Sequence, residues 1–309
     1  MKMKIWREIS HNLPKGCCLA MGNFDGVHLG HRALIKRVVE EASSLGKEDM
    51  VVTFDPHPSQ VVSPCPEKLL TPPRRKEKLM ASLGIHHFCY LPFDENIASL
   101  SPEDFVHEIL WKFFRPHSLS MGFNFTFGRG GQGDCQLLQE LGKRLGFKVN
   151  VLPPVTVDGV VVSSSAIRKA LDEGDILQAR RLLGYWPVIE GRVVEGEGRG
   201  RDLGFPTANI EIPACQKLPR RGVYAAWARL RDRSYPAAVN IGICPTFSAG
   251  VCPKVEAHLL NFTGESIYGE TVELELRAFL RPERRFPDPT ALAHQIAEDC
   301  LRVKELLSA

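Results

Sequence analysis

The sequence predicts two domains: an N-terminal α/β domain with a parallel sheet, and a C-terminal antiparallel β-barrel that ends in a helix. Over residues 1–184, short apolar segments alternate with amphipathic ones, as parallel strands do with crossover helices. Over residues 185–309, short strand-like segments follow one another before a final helical segment. With 44% apolar side chains in 309 residues, the chain can bury two separate cores.

The elements of the first half follow from the spacing of apolar residues. In the segment that starts at position 28, Leu34, Ile35 and Val38 recur at helical intervals. We expect strands at 17–21, 50–54, 88–91 and 119–121, and helices at 28–45, 76–83 and 102–114. Ligands of such sheets bind beyond the carboxyl ends of the strands, so polar motifs that follow strands are candidate sites.

The elements of the second half follow from alternation and from turn residues. Apolar Val272, Leu274 and Leu276 alternate with charged residues, which is typical of a strand with one face in solvent. Strands are expected at 189–194, 224–230, 237–241, 255–262 and 272–279, and a terminal helix at 289–307. The helix carries an apolar stripe that should pack on the barrel.

Charge and cysteine usage exclude several classes of protein. The net charge of +3 comes from interspersed charges, so nucleic-acid binding is not indicated. The densest basic cluster, Arg74, Arg75, Lys76 and Lys78, favours an exposed helix over a binding surface. The nine cysteines form no Cys-x-x-Cys pair, which favours the reducing cytoplasm and predicts no structural metal. No apolar run has the length of a signal peptide or membrane span, so we expect neither export nor membrane association.

The most informative motif runs from position 22 to 31, where a strand turns through glycines into a helix. The free N–H groups and partial positive charge of a helix start bind phosphate, and His28 and His31 add donors one turn apart. The spacing places both imidazoles on one face of the helix, and Gly30 allows a phosphate to approach the backbone. The predicted triphosphate site comprises Gly22, Asn23, Phe24, Asp25, Gly26, His28, Gly30 and His31.

Three further segments follow predicted strands and could complete that site. His57 lies between two prolines that fix its backbone, and Asn124 stands in a turn rich in phenylalanine and glycine that suits a flat ring system. Ser164, Ser165 and Arg168 open a helix and can hold further phosphates, although an ordinary helix cap also uses serine. The Gly-x-Gly-x-x-Gly spacing at 128–133 would suit a dinucleotide-dependent oxidoreductase, but it occurs too late in the domain.

These segments resemble the His-x-Gly-His nucleotidyltransferases, and in particular the prokaryotic FAD synthetases, which combine riboflavin kinase and FMN adenylyltransferase. The stretch from 191 to 210 is similar to the riboflavin kinase signature of that family. The resemblance implies a Rossmann-like adenylyltransferase domain over 1–184 and a kinase barrel over 185–309. It implies that riboflavin is phosphorylated to FMN and FMN is adenylylated to FAD, with ATP as co-substrate and Mg²⁺ as cofactor.

The resemblance also assigns roles to individual residues. His28 and His31 would be catalytic in adenylyl transfer, and Glu256 would accept the proton of the flavin hydroxyl in phosphorylation. Thr207 and Asn209 offer hard oxygen ligands for Mg²⁺. The remaining ATP- and flavin-binding positions of the barrel are Gly191, Gly196, Gly198, Arg201, Gly204, Phe205, Pro206, Asn240, Arg281 and Glu283.

Two other functions stay open from the sequence. A nucleotidyltransferase acting on another phosphoalcohol could use the first four motifs, but it would leave the Pro-Thr-Ala-Asn segment at 206–209 unexplained. A flavin carrier without activity would need the barrel and neither the histidine pair nor a magnesium site.

Overall fold

The computed structural model describes residues 2–196, 200, 203–246, 250–264 and 266–308, and of residues 244–246 and 250–252 it describes the backbone alone. The chain forms two compact units, Met1–Ser164 and Ser165–Ala309. No helix in the described residues is both long and apolar enough to span a lipid bilayer.

The first unit is built on a six-stranded parallel sheet, as the sequence predicts. The strand order across the sheet is β1-β4-β3-β2-β5-β6. The strands are β1 (Lys4–Trp6), β2 (Cys18–Met21), β3 (Asp49–Asp55), β4 (His87–Pro92), β5 (Ser118–Gly122) and β6 (Lys148–Leu152). The edge strands β1 and β6 were not predicted. A separate two-stranded ribbon contains β7 (Thr156–Val157) and β8 (Val160–Val161).

Helices connect these strands, and the three that the sequence predicts are confirmed in type. The α-helices of this unit are α1 (Leu29–Leu45), α2 (Pro58–Val62), α3 (Pro73–Ser82), α4 (Glu95–Ser99), α5 (Pro102–Asp104, continued in π-helical geometry over Phe105–Phe114) and α6 (Cys135–Leu145). The predicted ones correspond to α1, α3 and α5. Apolar side chains of α1, including Leu34, Ile35 and Val38, are buried. The helical spacing therefore marks the face that packs on the sheet.

The strand order places a crevice at one edge of this sheet. From β2 the chain proceeds outward through β3 to β4, and then returns to add β5 on the other side of β2. Connections diverge at such a reversal, and the gap they leave beyond the carboxyl ends of the strands is where ligands bind in open α/β sheets. The segments that follow β2 and β5 are the predicted motifs that begin at Gly22 and Gly122.

One prediction about this unit is wrong in part. The basic cluster lies on α3, and Arg74 and Lys78 are exposed as expected, but the side chain of Lys76 is only 5% exposed. Its neighbours Leu79 and Met80, three and four residues on, are buried too. Lys76 therefore belongs to the inward face of the helix because it shares that face by helical periodicity.

The second unit contains two helices followed by a closed antiparallel barrel with the cyclic strand order β10-β13-β12-β11-β14-β9. The helices are α7 (Ser164–Glu173), which begins at the last residue of the first unit, and α8 (Ile176–Leu183). The strands are β9 (Val188–Val194), β10 (Ala208–Glu211), β11 (Gly222–Leu230), β12 (Arg233–Thr246), β13 (Gly250–Leu259) and β14 (Thr271–Arg281). The short strand β10 was not predicted.

Side chains alternate between the filled interior of the barrel and its outer surface. Val255 and Ala257 of β13 are buried inside, and Glu256 between them points outward. The terminal helix α9 (Pro289–Ser308) covers another part of the outer surface, where Cys300 and Val303 pack against β11 and β12. The predicted barrel and its helix are confirmed.

Candidate active sites

The first candidate site is the histidine pair at the start of α1. His28 is the residue before the helix, and its Nδ1 accepts a hydrogen bond of 3.3 Å from the backbone N–H of His31. The two imidazoles stack with centroids 3.5 Å apart and planes 15° apart, and the buried ring of Phe24 meets His31 edge-on. The prediction that both rings share one face of the first turn is confirmed.

Burial keeps this pair neutral. Loss of solvent lowers the pKa of His28 to about 4, although the nearby Asp25 carboxylate acts in the opposite direction. Burial also lowers the pKa of His31 well below its usual range, and repulsion from Lys76, and from His28 whenever that ring is protonated, lowers it further. Neutral rings donate N–H groups to a phosphate without the cost of placing two positive charges in contact.

Asp25 fixes the loop that carries the pair. Its carboxylate accepts hydrogen bonds from the backbone N–H groups of Leu70 and Thr71, at 3.1 and 3.0 Å. The Thr71 hydroxyl in turn accepts the N–H of Gly26 at 2.9 Å. These hydrogen bonds offset strain in the loop, because Phe24, Gly26 and Val27 all have positive φ, a conformation that is unfavourable for residues other than glycine.

Lys76 is the member of this region that sequence reasoning missed. Its Nζ donates a hydrogen bond of 2.8 Å to the carbonyl of Asn23, and the hydroxyl of Thr53 donates to the same carbonyl at 3.0 Å. Burial lowers the pKa of Lys76, and the carboxylates of Asp25 and Asp55 oppose that shift. The sequence could have predicted the burial of Lys76 from its spacing to Leu79 and Met80, which places Lys76 on the apolar side of α3.

Two other predicted residues follow neighbouring strands. His57 comes after β3 and precedes α2, where its Nδ1 lies 2.8 Å from the hydroxyl of Ser59. Asn124 comes after β5 in an exposed turn. Both therefore lie at the carboxyl edge of the sheet, where Gly22 and Gly30 are also found beside the rings of Phe24 and His28.

The serine motif begins at the end of the first unit. The hydroxyl of Ser164, the last residue of that unit, donates a hydrogen bond of 2.8 Å to the carbonyl of Asp25 in the histidine loop. Ser165 is exposed and Arg168 half-buried on α7, within the second unit.

The second candidate site lies on the outer surface of the barrel. Glu256 of β13 is directly opposite Asn209 of β10 on one side and Asn240 of β12 on the other. Opposite residues on paired strands point to the same face, so the three side chains form a row across three strands. The carboxylate of Glu256 is 2.9 Å from the ammonium of Lys254. A carboxylate beside two amides is suited to accept a proton from a hydroxyl held nearby.

The predicted magnesium ligands fit this row. Asn209 is a member of it, and the backbone of Gly196 lies so close to the Asn209 amide that any side chain at 196 would overlap it. Thr207 is half-buried and its hydroxyl lies against Gly200 in the same way. The side-chain oxygens of Thr207 and Asn209 are hard donors of the kind that Mg²⁺ accepts as ligands.

The other predicted barrel residues have mixed surroundings. Gly191 packs tightly against β10, and Gly204 occupies a turn with positive φ. Pro206 accepts a hydrogen bond of 2.8 Å from the ring of His258, which also meets Phe205 edge-on. Gly198 and Arg201 lie outside the described residues.

Arg281 and Glu283 differ in their contacts. The guanidinium of Arg281 makes a bidentate ion pair with Asp299 of α9, at 3.0 and 2.7 Å. The carboxylate of Glu283 lies against the backbone of Gly242, two residues along β12 from Asn240. Glu283 therefore extends the polar surface that Glu256 and Asn240 begin.

Comparison with known proteins finds matches to both halves of the chain. The chain matches the family model of FAD synthetase over residues 10–166 and that of riboflavin kinase over residues 183–307. It is 38% identical to the bifunctional riboflavin kinase/FMN adenylyltransferase of Escherichia coli (strain K12) over 310 residues, 98% of this chain and 97% of the relative. The protein of that name from Bacillus subtilis (strain 168) is 36% identical over 286 residues, 91% and 89% of the two chains.

A solved structure shares the fold of the whole chain. The crystal structure of a Streptococcus pneumoniae protein, named a macrolide-efflux protein, superposes with a TM-score of 0.87 at 26% sequence identity. The superposition covers 98% of this chain and 99% of that one.

Proposed function

The chain belongs to the family of bifunctional riboflavin kinase/FMN adenylyltransferases, and from this premise we propose which residues carry each of its two reactions. It phosphorylates riboflavin to FMN and adenylylates FMN to FAD, with ATP as the co-substrate of both steps. Residues 1–184 carry the adenylylation and residues 185–309 the phosphorylation. The extents of the two matching family models, 10–166 and 183–307, support this division.

Adenylyl transfer takes place at the His28–His31 pair. A phosphate oxygen of FMN forms a bond to the α-phosphorus of ATP, and the bond from that phosphorus to the α,β-bridging oxygen breaks, so pyrophosphate leaves with the electron pair. The stacked neutral imidazoles at the start of α1 donate hydrogen bonds to the phosphate oxygens, on which negative charge develops in the transition state. That arrangement, beyond the carboxyl end of β2, is the observation that carries the assignment. His57, Asn124, Ser164, Ser165 and Arg168 bind the remaining parts of the nucleotide.

Phosphorylation of riboflavin takes place on the outer surface of the barrel. Glu256 accepts the proton of the flavin's terminal hydroxyl as its oxygen bonds to the γ-phosphorus of ATP and ADP leaves. Asn209 and Asn240 flank the carboxylate and orient the groups around it. Thr207 and Asn209 would hold Mg²⁺, which neutralises phosphate charge when bound. Glu283, beside Gly242, lies next to this row.

The remaining expectations concern the setting of the enzyme. The cysteine pattern favours the cytoplasm, and interspersed charge favours small-molecule substrates over nucleic acid.

A crossed pair of variants tests the assignment. His28→Ala should abolish FAD formation from supplied FMN. The substitution removes an imidazole that donates a hydrogen bond to phosphate at the start of α1. Glu256→Ala should abolish FMN formation from riboflavin, because no other base replaces the carboxylate in the row. Each variant should retain the reaction of the other site at close to the wild-type rate. Separation of the flavins by chromatography, with pyrophosphate release as a second signal, measures both reactions.

Each variant serves as the folding control of the other. Loss of both reactions in Glu256→Ala would contradict separate sites. Near wild-type pyrophosphate release by His28→Ala would refute the first assignment.

A further inference from the structure

Lys76 brings a positive charge to the histidine loop from a different part of the sequence. Its helix, α3, follows the segment that the Asp25 carboxylate holds, and its Nζ reaches the carbonyl of Asn23, the second residue after β2. Thr53 of β3 donates to that same carbonyl. The ammonium therefore lies at the carboxyl ends of β2 and β3, on the side of the sheet where the predicted phosphate motifs occur.

The charge of this ammonium is not balanced by a direct partner. Among the described residues, the carbonyl of Asn23 is its one hydrogen-bond acceptor, and no carboxylate is within ion-pair distance. An ammonium has three hydrogens to donate, so two remain without an acceptor from those residues. A buried cation in this condition is costly unless an anion completes its surroundings.

The histidine pair also has a polar group that a bound anion could satisfy. The buried Nδ1 of His31 has no hydrogen-bond partner among the described residues. The positive charge of Lys76 contributes to the low pKa of His31, so the two groups are close enough to interact. One anion bound between them would satisfy both, and the triphosphate of the proposed reaction is such an anion.

We propose that Lys76 is a triphosphate-binding residue of the adenylyltransferase site, where its ammonium contacts the β- and γ-phosphate oxygens. The proposal rests on the assignment of adenylyl transfer to the His28–His31 pair. When the FMN oxygen bonds to the α-phosphorus and the bond to the bridging oxygen breaks, the pyrophosphate gains a negative charge. Lys76 keeps its proton and stabilises that charge through hydrogen bonds, as a fixed cation does in phosphoryl transfer.

A purely structural lysine would only tie α3 to the carbonyl of Asn23, and two substitutions separate the two roles. Lys76→Gln keeps a donor for that carbonyl and removes the charge, whereas Lys76→Arg keeps the charge. We expect Lys76→Gln to lower kcat/KM for FAD formation roughly 100-fold, the usual cost of one lost transition-state donor. It should weaken inhibition by added pyrophosphate and leave the KM for FMN unchanged. Lys76→Arg should recover part of both losses.

Lys78→Gln is the matched control, since Lys78 is exposed on the same helix and undergoes the same chemical change. Riboflavin phosphorylation, measured on each variant, reports the second unit independently. Wild-type FAD formation by Lys76→Gln would overturn the proposal, as would a loss of activity that accompanies loss of the thermal transition of the first unit. His28→Ala, assayed in parallel, separates the role of Lys76 from the location of the site. If His28→Ala still forms FAD, the assignment of the site to the histidine pair fails. If His28→Ala is inactive while Lys76→Gln keeps wild-type FAD formation, only the role of Lys76 fails.

Discussion

At the scale of single residues, the neutrality of the histidine pair decides what the first site can do. Two imidazolium rings could not remain stacked at 3.5 Å between centroids without a counter-charge. In the proposed reaction, His28 and His31 would act as neutral donors to phosphate, and the fixed positive charge would come from another group. The buried ammonium of Lys76 is a source that interacts with His31.

This neutrality predicts how the stability of the first unit depends on pH. The pKa of His28 falls from 6.5 to about 4 on folding, so the unfolded chain binds more protons between these pH values. Stability is therefore complete above pH 6.5 and is lost as the pH falls towards 4, by up to about 3 kcal/mol for this residue. His28→Asn keeps an acceptor for the N–H of His31 but cannot be protonated, so its unfolding free energy should fall less over this range.

Chemical unfolding of both proteins at pH 7 and pH 4.5, followed by the fluorescence of the first unit's tryptophans, measures the difference. His107→Asn, which removes an exposed histidine of the same unit, is the control and should follow the wild type. Equal acid destabilisation of His28→Asn and the wild type would contradict burial of a neutral His28.

The proposed site residues could be recognised in the sequence, whereas the residues that support them could not. His28, His31 and Glu256 belong to motifs whose chemistry is local, so their identities could be taken from the sequence. The pairing of Asp25 with Leu70 and Thr71, and the burial of Lys76, depend on which segments the fold brings together. A run of basic residues is typical of a solvent-exposed helix face, so the sequence alone predicted that Lys76 is exposed. The structure shows that Lys76 lies on the buried face of α3.

At the scale of elements, long periodic segments were predictable and short ones were not. The strand β10 has four residues and follows a segment rich in glycine and proline, so it carries too little alternation to be recognised. It nevertheless holds Asn209 and closes the barrel by pairing with both β9 and β13. The edge strands β1 and β6, which also escaped prediction, are short as well, with three and five residues.

The contact between β14 and α9 gives a prediction at this scale. Asp299→Ala removes the bidentate partner of Arg281 and leaves a guanidinium largely buried against the helix. We expect the second unit to lose about 3 kcal/mol of unfolding free energy, as when one member of a buried pair is deleted. Riboflavin phosphorylation should become more heat-labile in parallel.

Denaturant unfolding of the second unit, followed through Trp186 and Trp227, measures this loss. Glu298→Ala removes one member of an exposed pair with His294 on the same helix and should cost less than about 0.5 kcal/mol. An equal effect of the two substitutions would show that the Arg281–Asp299 pair contributes no more than a surface pair does.

At the scale of the whole molecule, the two reactions belong to units with different architectures. In the proposed assignment, the first reaction would use the reversal of strand order in a parallel sheet, and the second the outer surface of a closed barrel. Both architectures were predictable because strand periodicity and the presence or absence of intervening helices differ sharply between the halves.

Ligand-linked stability should reveal this division. Riboflavin binds the native second unit, so at about 100 times its Kd it should raise the stability of that unit by about 2.7 kcal/mol. Scanning calorimetry of the full chain should then show one transition moving to higher temperature and the other unchanged. Asp299→Ala identifies the transition of the second unit because it lowers that one selectively. A riboflavin-induced shift of both transitions together would contradict independent units.

The outward position of Glu256 separates catalysis from packing in the barrel. Its sequence neighbours Val255 and Ala257 are buried in the interior, so the inner face of β13 serves packing. A protein engineer could exchange interior aliphatic side chains of matched volume to raise heat resistance, while the wall that carries the chemistry keeps its own set of polar groups. Robustness and turnover can thus be tuned on opposite faces of the same strands.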